Sequence, residues 1–268
     1  MTHFLATHDF EEFRTGSVTH VLVFVVLGVI SFALIWGRRL AELRGEIFSR
    51  RLDRGFALLL VTVWCALNAR QVLPGHFRWD KSLPLHICDL VGLAAPIALW
   101  TSRRAARAIL YFWGLGLSTQ AFITPMLYLG PAHLDFWCYW ICHITIVTAA
   151  FYDLVARGYR PNWRDWEIVA VVSVGYVLMV LPLDIRLGVN YGFIGPTDFA
   201  QAAAIRALGQ WPGRVVKIVM VVWAGTALML LPFLRRPKGG VEITGVQINP
   251  ARGYGSIKPA ARSLPLAA

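Results

Sequence analysis

The chain has 268 residues, 57% of them hydrophobic and 15% charged, with 11 Trp and 15 Phe and a mean hydropathy of +0.56. A soluble globular domain carries about a quarter charged residues, so that class is excluded and an all-α polytopic membrane protein is predicted. A formal charge of +11 would suit nucleic acid, but the positions of the basic residues give it another meaning and exclude that partner.

Residues 1–16 are polar and slightly acidic, with Asp9, Glu11 and Glu12 against Arg14. They lack the basic start and short apolar core of a cleavable signal, and predict an external N-terminal tail. Apolar spans follow at 17–37, 55–73, 83–101, 108–129, 136–156, 166–187 and 214–234, a bundle of seven transmembrane helices within 17–234. In the third, Pro84 suits the first turn of a helix beginning at Leu83. The segment 188–213 is long enough for structure of its own. Pro196 opens a short interfacial helix capped by Thr197 or Asp198, and Gly209 and Pro212 stop it. The 235–268 tail, rich in Gly, Pro and Arg, has no helical periodicity and is predicted to be disordered.

Orientation follows from the basic residues. Six arginines lie in 38–54, three in 102–107, three in 157–165, and six Lys or Arg in the tail. These regions alternate with the rest and share one side of a seven-span arrangement. The expectation is a multi-pass protein of the cell membrane, N-terminus outside and C-terminus cytoplasmic, with membrane lipids as its partners.

Polar residues at membrane depth are costly and need a reason. At ~1.5 Å per residue, Cys88 and His143 fall at similar depth below the outer boundary. Asn68 and Arg70, then Ser118, Thr119, Gln120 and Thr124, also fall in outer halves, and Asp184 and Arg186 end a span just before Asn190 and Tyr191. Inner halves offer little beyond Ser31, Thr148, Asp153 and Ser173. The asymmetry predicts a polar pocket open to the outer face.

A thiol beside an imidazole ionises readily and becomes a nucleophile. That makes Cys88 and His143 the catalytic candidates, with Gln120, Thr119 or Asn68 as donors to a developing oxyanion. His86, Asp89, Asn190 and Tyr191 complete a substrate-binding set. Plainer roles stay open. A buried cysteine serves as a small hydrophobe, a membrane histidine bonds a carbonyl across helices, and His86 and Asp89, three apart, pair with each other. Gly92 and Ala95, and Gly114 and Ser118, have the spacing that lets helices approach closely. His86, Asp89 and His143 as metal ligands lack an HExxH-like spacing. The four cysteines, including Cys138 and Cys142 on one helix side, form no CxxC pair. No metal and no cofactor is expected.

Five pieces in order carry a resemblance: Leu83 to Cys88; Gly114 to Gln120 followed by Ile123-Thr124-Pro125; His133 to His143 with Tyr152 after it; Asn190-Tyr191; and Trp211-Pro212. At these residues the chain resembles the YwaF-like family of bacterial integral membrane proteins. That family is similar at longer range to transmembrane protein 164, an acyltransferase acting on ether phospholipids through a membrane cysteine and histidine. The resemblance implies Cys88 as nucleophile and His143 as general base. The expected function is a cysteine-dependent phospholipid acyltransferase or lipid hydrolase. The alternative is a transporter or binding protein for a small polar solute or lipid, in which the same groups cradle a substrate.

Overall fold

A computed structural model of the chain describes residues 10–197 and 203–234. The tail predicted to be disordered, most of the N-terminal tail and Asp198 lie outside the described residues. Among those described, every named element is helical: α1 (Val18–Leu43), α2 (Glu46–Val72), α3 (Ile87–Thr101), α4 (Arg104–Ile109), α5 (Gln120–Ile123), α6 (Leu134–Phe151), α7 (Trp163–Leu187), α8 (Ala203–Ala207), α9 (Gly213–Leu228) and α10 (Leu231–Leu234). α4 runs on as a π-helix over Leu110–Leu115, and α6 as another over Tyr152–Ala156.

Five helices are long and apolar enough to cross a membrane: Val18–Leu43, Glu46–Val72, Leu134–Ala156, Trp163–Leu187 and Gly213–Leu234. The third and fourth predicted spans differ. α3 begins at Ile87 rather than Leu83, because Pro84 sits in a bend of the lead-in closed by the Leu85 N–H, which donates back to Leu83 at 2.7 Å. The 15-residue helix rises only ~22 Å, short of a hydrocarbon core of ~30 Å. The fourth span breaks after Leu115. Leu117 and Ser118 both donate to the Trp113 carbonyl at 3.0 and 2.9 Å, and the Thr119 hydroxyl donates to Leu115 at 2.6 Å. Gly116 permits the turn, since a Cβ there would lie 2.2 Å from the Phe112 oxygen.

The predicted loop 38–54 is mostly helix. α1 continues to Leu43 and α2 begins at Glu46, joined through Arg44 and Gly45, whose φ of 110° favours glycine. Arg and Glu are good helix formers, and here they pair along the helix: Arg38 with Glu42 at 2.8 Å, and Arg50 with Glu46.

α1 shows how the bundle is oriented. Val21, Leu22, Val25, Val29, Phe32 and Trp36 are exposed, while His20, Ser31 and Arg38 are buried. Their spacing puts the three on one helical face, and each bonds another element. The His20 Nε2–H donates to the Phe122 carbonyl (2.8 Å), Ser31 meets Thr148 (3.0 Å), and the Arg38 Nε–H donates to Asp53 (2.8 Å). Apolar outside and hydrogen-bonded inside is the pattern of a lipid-facing helix. Small residues set the close contacts, as expected. A Cβ on Gly92 of α3 would meet Trp64 of α2 at 2.8 Å, and one on Gly114 would meet Ala150 of α6 at 3.4 Å. Residues 10–13 are no loose tail. Phe13 is buried, its N–H donates to Tyr128 at 2.8 Å, and Gly130 and Ala132 donate to Glu11 and Phe10.

Candidate functional site

The site forms where α3 begins. Two tyrosines from the far side of the bundle hold the lead-in. The Tyr191 hydroxyl donates to the Trp79 carbonyl (2.6 Å) and accepts the Leu83 N–H (3.2 Å). The Tyr176 hydroxyl donates to the Leu85 carbonyl at 2.8 Å. Burial pushes the Tyr191 phenol above its usual range, so it stays a donor. Tyr191 is itself anchored by its N–H to the Asp184 Oδ1 at 3.0 Å. Asp184 is therefore no surface partner of Arg186; it is fully buried at the end of α7. Ahead of the lead-in, Arg78 grips Asp80 at 2.8 and 3.0 Å. Burial opposes the Asp80 charge, but the guanidinium wins and holds this carboxyl below its usual value.

The chain then turns into α3 with His86 as its N-cap. Asp89 reaches back so that its Oδ2 accepts the His86 N–H at 3.2 Å, one half of a capping box. The predicted pairing of these two is thus through the backbone, not through the imidazole. The Asp89 carbonyl accepts the Trp64 indole N–H at 2.8 Å, which fixes α3 on α2. The His86 ring packs on Tyr191 with centroids 4.7 Å apart.

Cys88 follows in the first turn of α3. Its thiol lies next to two α6 side chains, Cys142 and His143, and is half-buried. His143 is buried, and its Nδ1 lies 2.7 Å from the Tyr139 carbonyl one turn earlier. A carbonyl only accepts, so Nδ1 carries the proton and Nε2 keeps its lone pair. The Tyr139 ring stacks near the imidazole at 4.4 Å, and its hydroxyl donates to the Ala121 carbonyl at 3.3 Å. The fold thus brings Cys88 and His143 together, with His86, Asp89 and Tyr191 close by. Beside them an apolar crevice between α3, the first π-helix, α7 and α9 is lined by Ile87, Trp113, Tyr176, Val177, Ile218 and Trp223.

Other candidates are engaged elsewhere. The Asn68 amide donates to the Trp64 carbonyl of its own helix at 2.9 Å. Thr119 bonds Leu115, as described, and Gln120 is exposed. Asn190 folds its own loop, donating to the Thr197 carbonyl and accepting the Gly195 N–H, both at 2.8 Å. Arg70 pairs with Asp135 at 2.6 Å. Cys142, Tyr139 and Tyr176 were not singled out by depth alone. A tyrosine four residues before His143 was the available signal for Tyr139. All four cysteines are free thiols, and no metal-holding group of three His, Cys, Asp or Glu occurs among the described residues.

The predicted polar asymmetry does not hold. At the opposite end of the bundle, Asp53 of α2 binds Arg38 (2.8 Å), Arg157 (3.3 Å) and the Tyr152 hydroxyl (2.6 Å). Asp153 binds Arg107 (2.8 Å) and Arg157 (3.0 Å). Arg104 holds the fully buried Asp165 with two bonds, at 2.6 and 2.8 Å, and this partner raises the Arg104 guanidinium further. Depth counting missed this network because Arg38 and Asp53 had been assigned to a loop.

No curated protein and no solved structure matches this chain. The model of the TMEM164 family matches residues 14–230, a stretch that holds the thiol, the imidazole, both tyrosine clamps and the ionic network. The match carries that name and not the YwaF-like one. The chain is a member of the TMEM164 family of multi-pass membrane proteins.

Proposed function

We propose that this protein is a cysteine-dependent lipid acyltransferase or hydrolase, with Cys88 as nucleophile and His143 as its base. The observation that carries this reading is the thiol of Cys88 beside an imidazole whose Nδ1–H is committed to the Tyr139 carbonyl. Nε2 is then the nitrogen left to act as a base toward a nucleophile. In the first half-reaction the sulfur attacks an ester carbonyl of a lipid. Nε2 takes the thiol proton and passes it to the departing alcohol as the C–O bond breaks, leaving a thioester. In the second, His143 draws the proton from an acceptor hydroxyl or water, the new ester or acid forms, and the thiol regains its proton. The half-buried His86 and the Ser118 hydroxyl, which is buried with no hydrogen-bond partner among the described residues, are groups for substrate contact.

The topology proposed with this function has α3 and the broken α4–α5 segment as third and fourth crossings, N-terminus outside. Its support is that the arginine-bearing turns after α1, α3 and α6 meet in one ionic network. Reporter fusions at Gly45 and Gly158 should read cytoplasm, and those at Gly75 and Gly195 the outside. An external signal at Gly158 overturns the arrangement.

Transport is the second reading because the basic end holds a polar cavity, a place for a polar solute away from the Cys88 end. Intact-mass measurement of protein purified from membranes separates the two. The enzyme reading expects an acyl adduct on Cys88 that hydroxylamine removes. An unacylated Cys88 after incubation with phospholipid donors, alongside saturable lipid binding, would favour transport.

A further inference from the structure

The basic end holds a cavity of about 480 Å³, and nothing in the thiol chemistry uses it. It opens between the end of α1, the start of α2, the end of α3 and the two π-containing helices. Arg38, Arg50, Arg54, Arg107 and Arg157 line it, against only two carboxylates, Glu46 and Asp53. Leu99 lies at its edge on α3, eleven residues from Cys88 and thus ~16 Å along the helix, so the two sites are separate.

The charges in this cavity do not balance within the lining. Asp53 is spent on Arg38, Arg157 and Tyr152. Glu46 is spent on Arg50. Asp153, just behind the wall, serves Arg107 and Arg157. Arg54 rests over the Trp100 ring at 5.5 Å and has no carboxylate within ion-pair distance among the described residues. Arg107 uses Nε for Asp153 and stacks on Tyr159 at 4.7 Å, while its Nη2 is buried with no hydrogen-bond partner among the described residues. Buried guanidinium N–H groups left unpaired are costly. A cavity with surplus guanidinium forks is suited to an anion with several acceptor oxygens in a compact tetrahedron. A single carboxylate would fill little of that volume, and a halide cannot accept bidentately.

We propose that this cavity binds a phosphate-bearing anion, a lipid headgroup or free phosphate, with Arg54 and Arg107 as its principal unspent donors. The site is independent of the acyl-transfer reading, and loss of Cys88 leaves it intact. The test is thermal unfolding of the full-length protein in a neutral detergent. Dioctanoyl phosphatidic acid is titrated against dioctanoyl glycerol, and inorganic phosphate against chloride at equal ionic strength. A saturable rise in melting temperature with both phosphates assigns the site to the phosphate group itself. A rise with the lipid alone assigns it to a headgroup held with its acyl glycerol. In either case Arg54→Gln should raise the apparent Kd about tenfold, the size of one lost charged hydrogen bond, and Arg164→Gln, exposed on the same end, should not. Arg107→Gln should do the same, and because it also breaks the Asp153 pair, the exposed Arg54 keeps the test valid should that variant not fold. No saturable rise with either phosphate, or a rise that Arg54→Gln leaves unchanged, overturns the proposal.

Discussion

The two ends of the bundle solve the problem of polar groups in an apolar surround by different means. At the α3 start, neutral donors and carbonyls do the work: Tyr176, Tyr191 and Trp64 each give one N–H or O–H to a backbone oxygen around Cys88. At the arginine end, full charges are paired, with Asp53 and Asp153 shared among three guanidiniums and Arg54 left over on the Trp100 ring. A neutral clamp positions the backbone around Cys88 without adding a charge of its own. An ionic lattice is costly to assemble and costlier to break. The comparison separates a region positioned by neutral hydrogen bonds from a region held by paired charges.

The sharpest way to break that division is Cys88→Ser. It keeps the shape and the neighbours but replaces a thiol with a far weaker acid, so acyl-enzyme formation should fall on the order of a thousandfold or more. The melting temperature should barely move. Retained activity in any assay the wild type supports would mean the α3 end is not a reacting region.

Asp53→Asn attacks the other end. It leaves Arg38 and Arg157 short of a counter-charge, and removing one partner of a buried pair costs about 3–5 kcal/mol. Denaturant titration in mild detergent should show that loss, while Cys88 alkylation in the folded fraction keeps its rate. A large change in alkylation would show that the two ends are coupled.

Tyr176→Phe is a finer cut. Only the bond to the Leu85 carbonyl is lost, a matter of ~1 kcal/mol, yet the lead-in to Cys88 is loosened. Alkylation of Cys88 should quicken by a few-fold with stability nearly unchanged. An unchanged rate would assign the tyrosine to packing alone.

The smallest effect concerns acid. The folded-state value of Asp80 is lowered from 3.8, so its contribution is present above that value and is lost as pH falls through the folded one. Arg78 is largely exposed, which keeps the effect modest. Asp80→Asn should flatten the acid limb of the melting-temperature profile below about pH 4. A limb as steep as wild type would assign acid sensitivity to other carboxylates.

Hydropathy revealed the class, the five long helices and the alternation of basic turns, because each depends on composition over many residues. The similar depth of Cys88 and His143 was legible too, since both fall near the start of spans read as crossing in the same direction, and depth along a helix is simple arithmetic. What stayed hidden depended on single bonds. Asn68 and Thr119 look like site groups at their depth, yet both satisfy themselves on a carbonyl four residues back, which no depth count can distinguish. Asp53 was hidden by the assumption that charge ends a helix, although charged residues continue α1 and begin α2. Tyr176 sits in a run of Val and Leu and reads as apolar until its hydroxyl finds Leu85.

The N-terminal strap bears on the order in which the protein is made. Phe13 hydrogen-bonds to Tyr128, and Gly130 and Ala132 bond back to Glu11 and Phe10, so residues 10–13 have partners synthesised only after α1 to α5. At ribosomal speeds of about 5–20 residues per second, the strap waits several seconds without its lodging. Throughout that interval Phe13, buried in the finished fold, has to be sheltered by lipid or by the insertion machinery. The segment around Phe13 is therefore secured only once Tyr128 to Ala132 have been made, and a nascent chain stalled before Tyr128 would leave it without its partners.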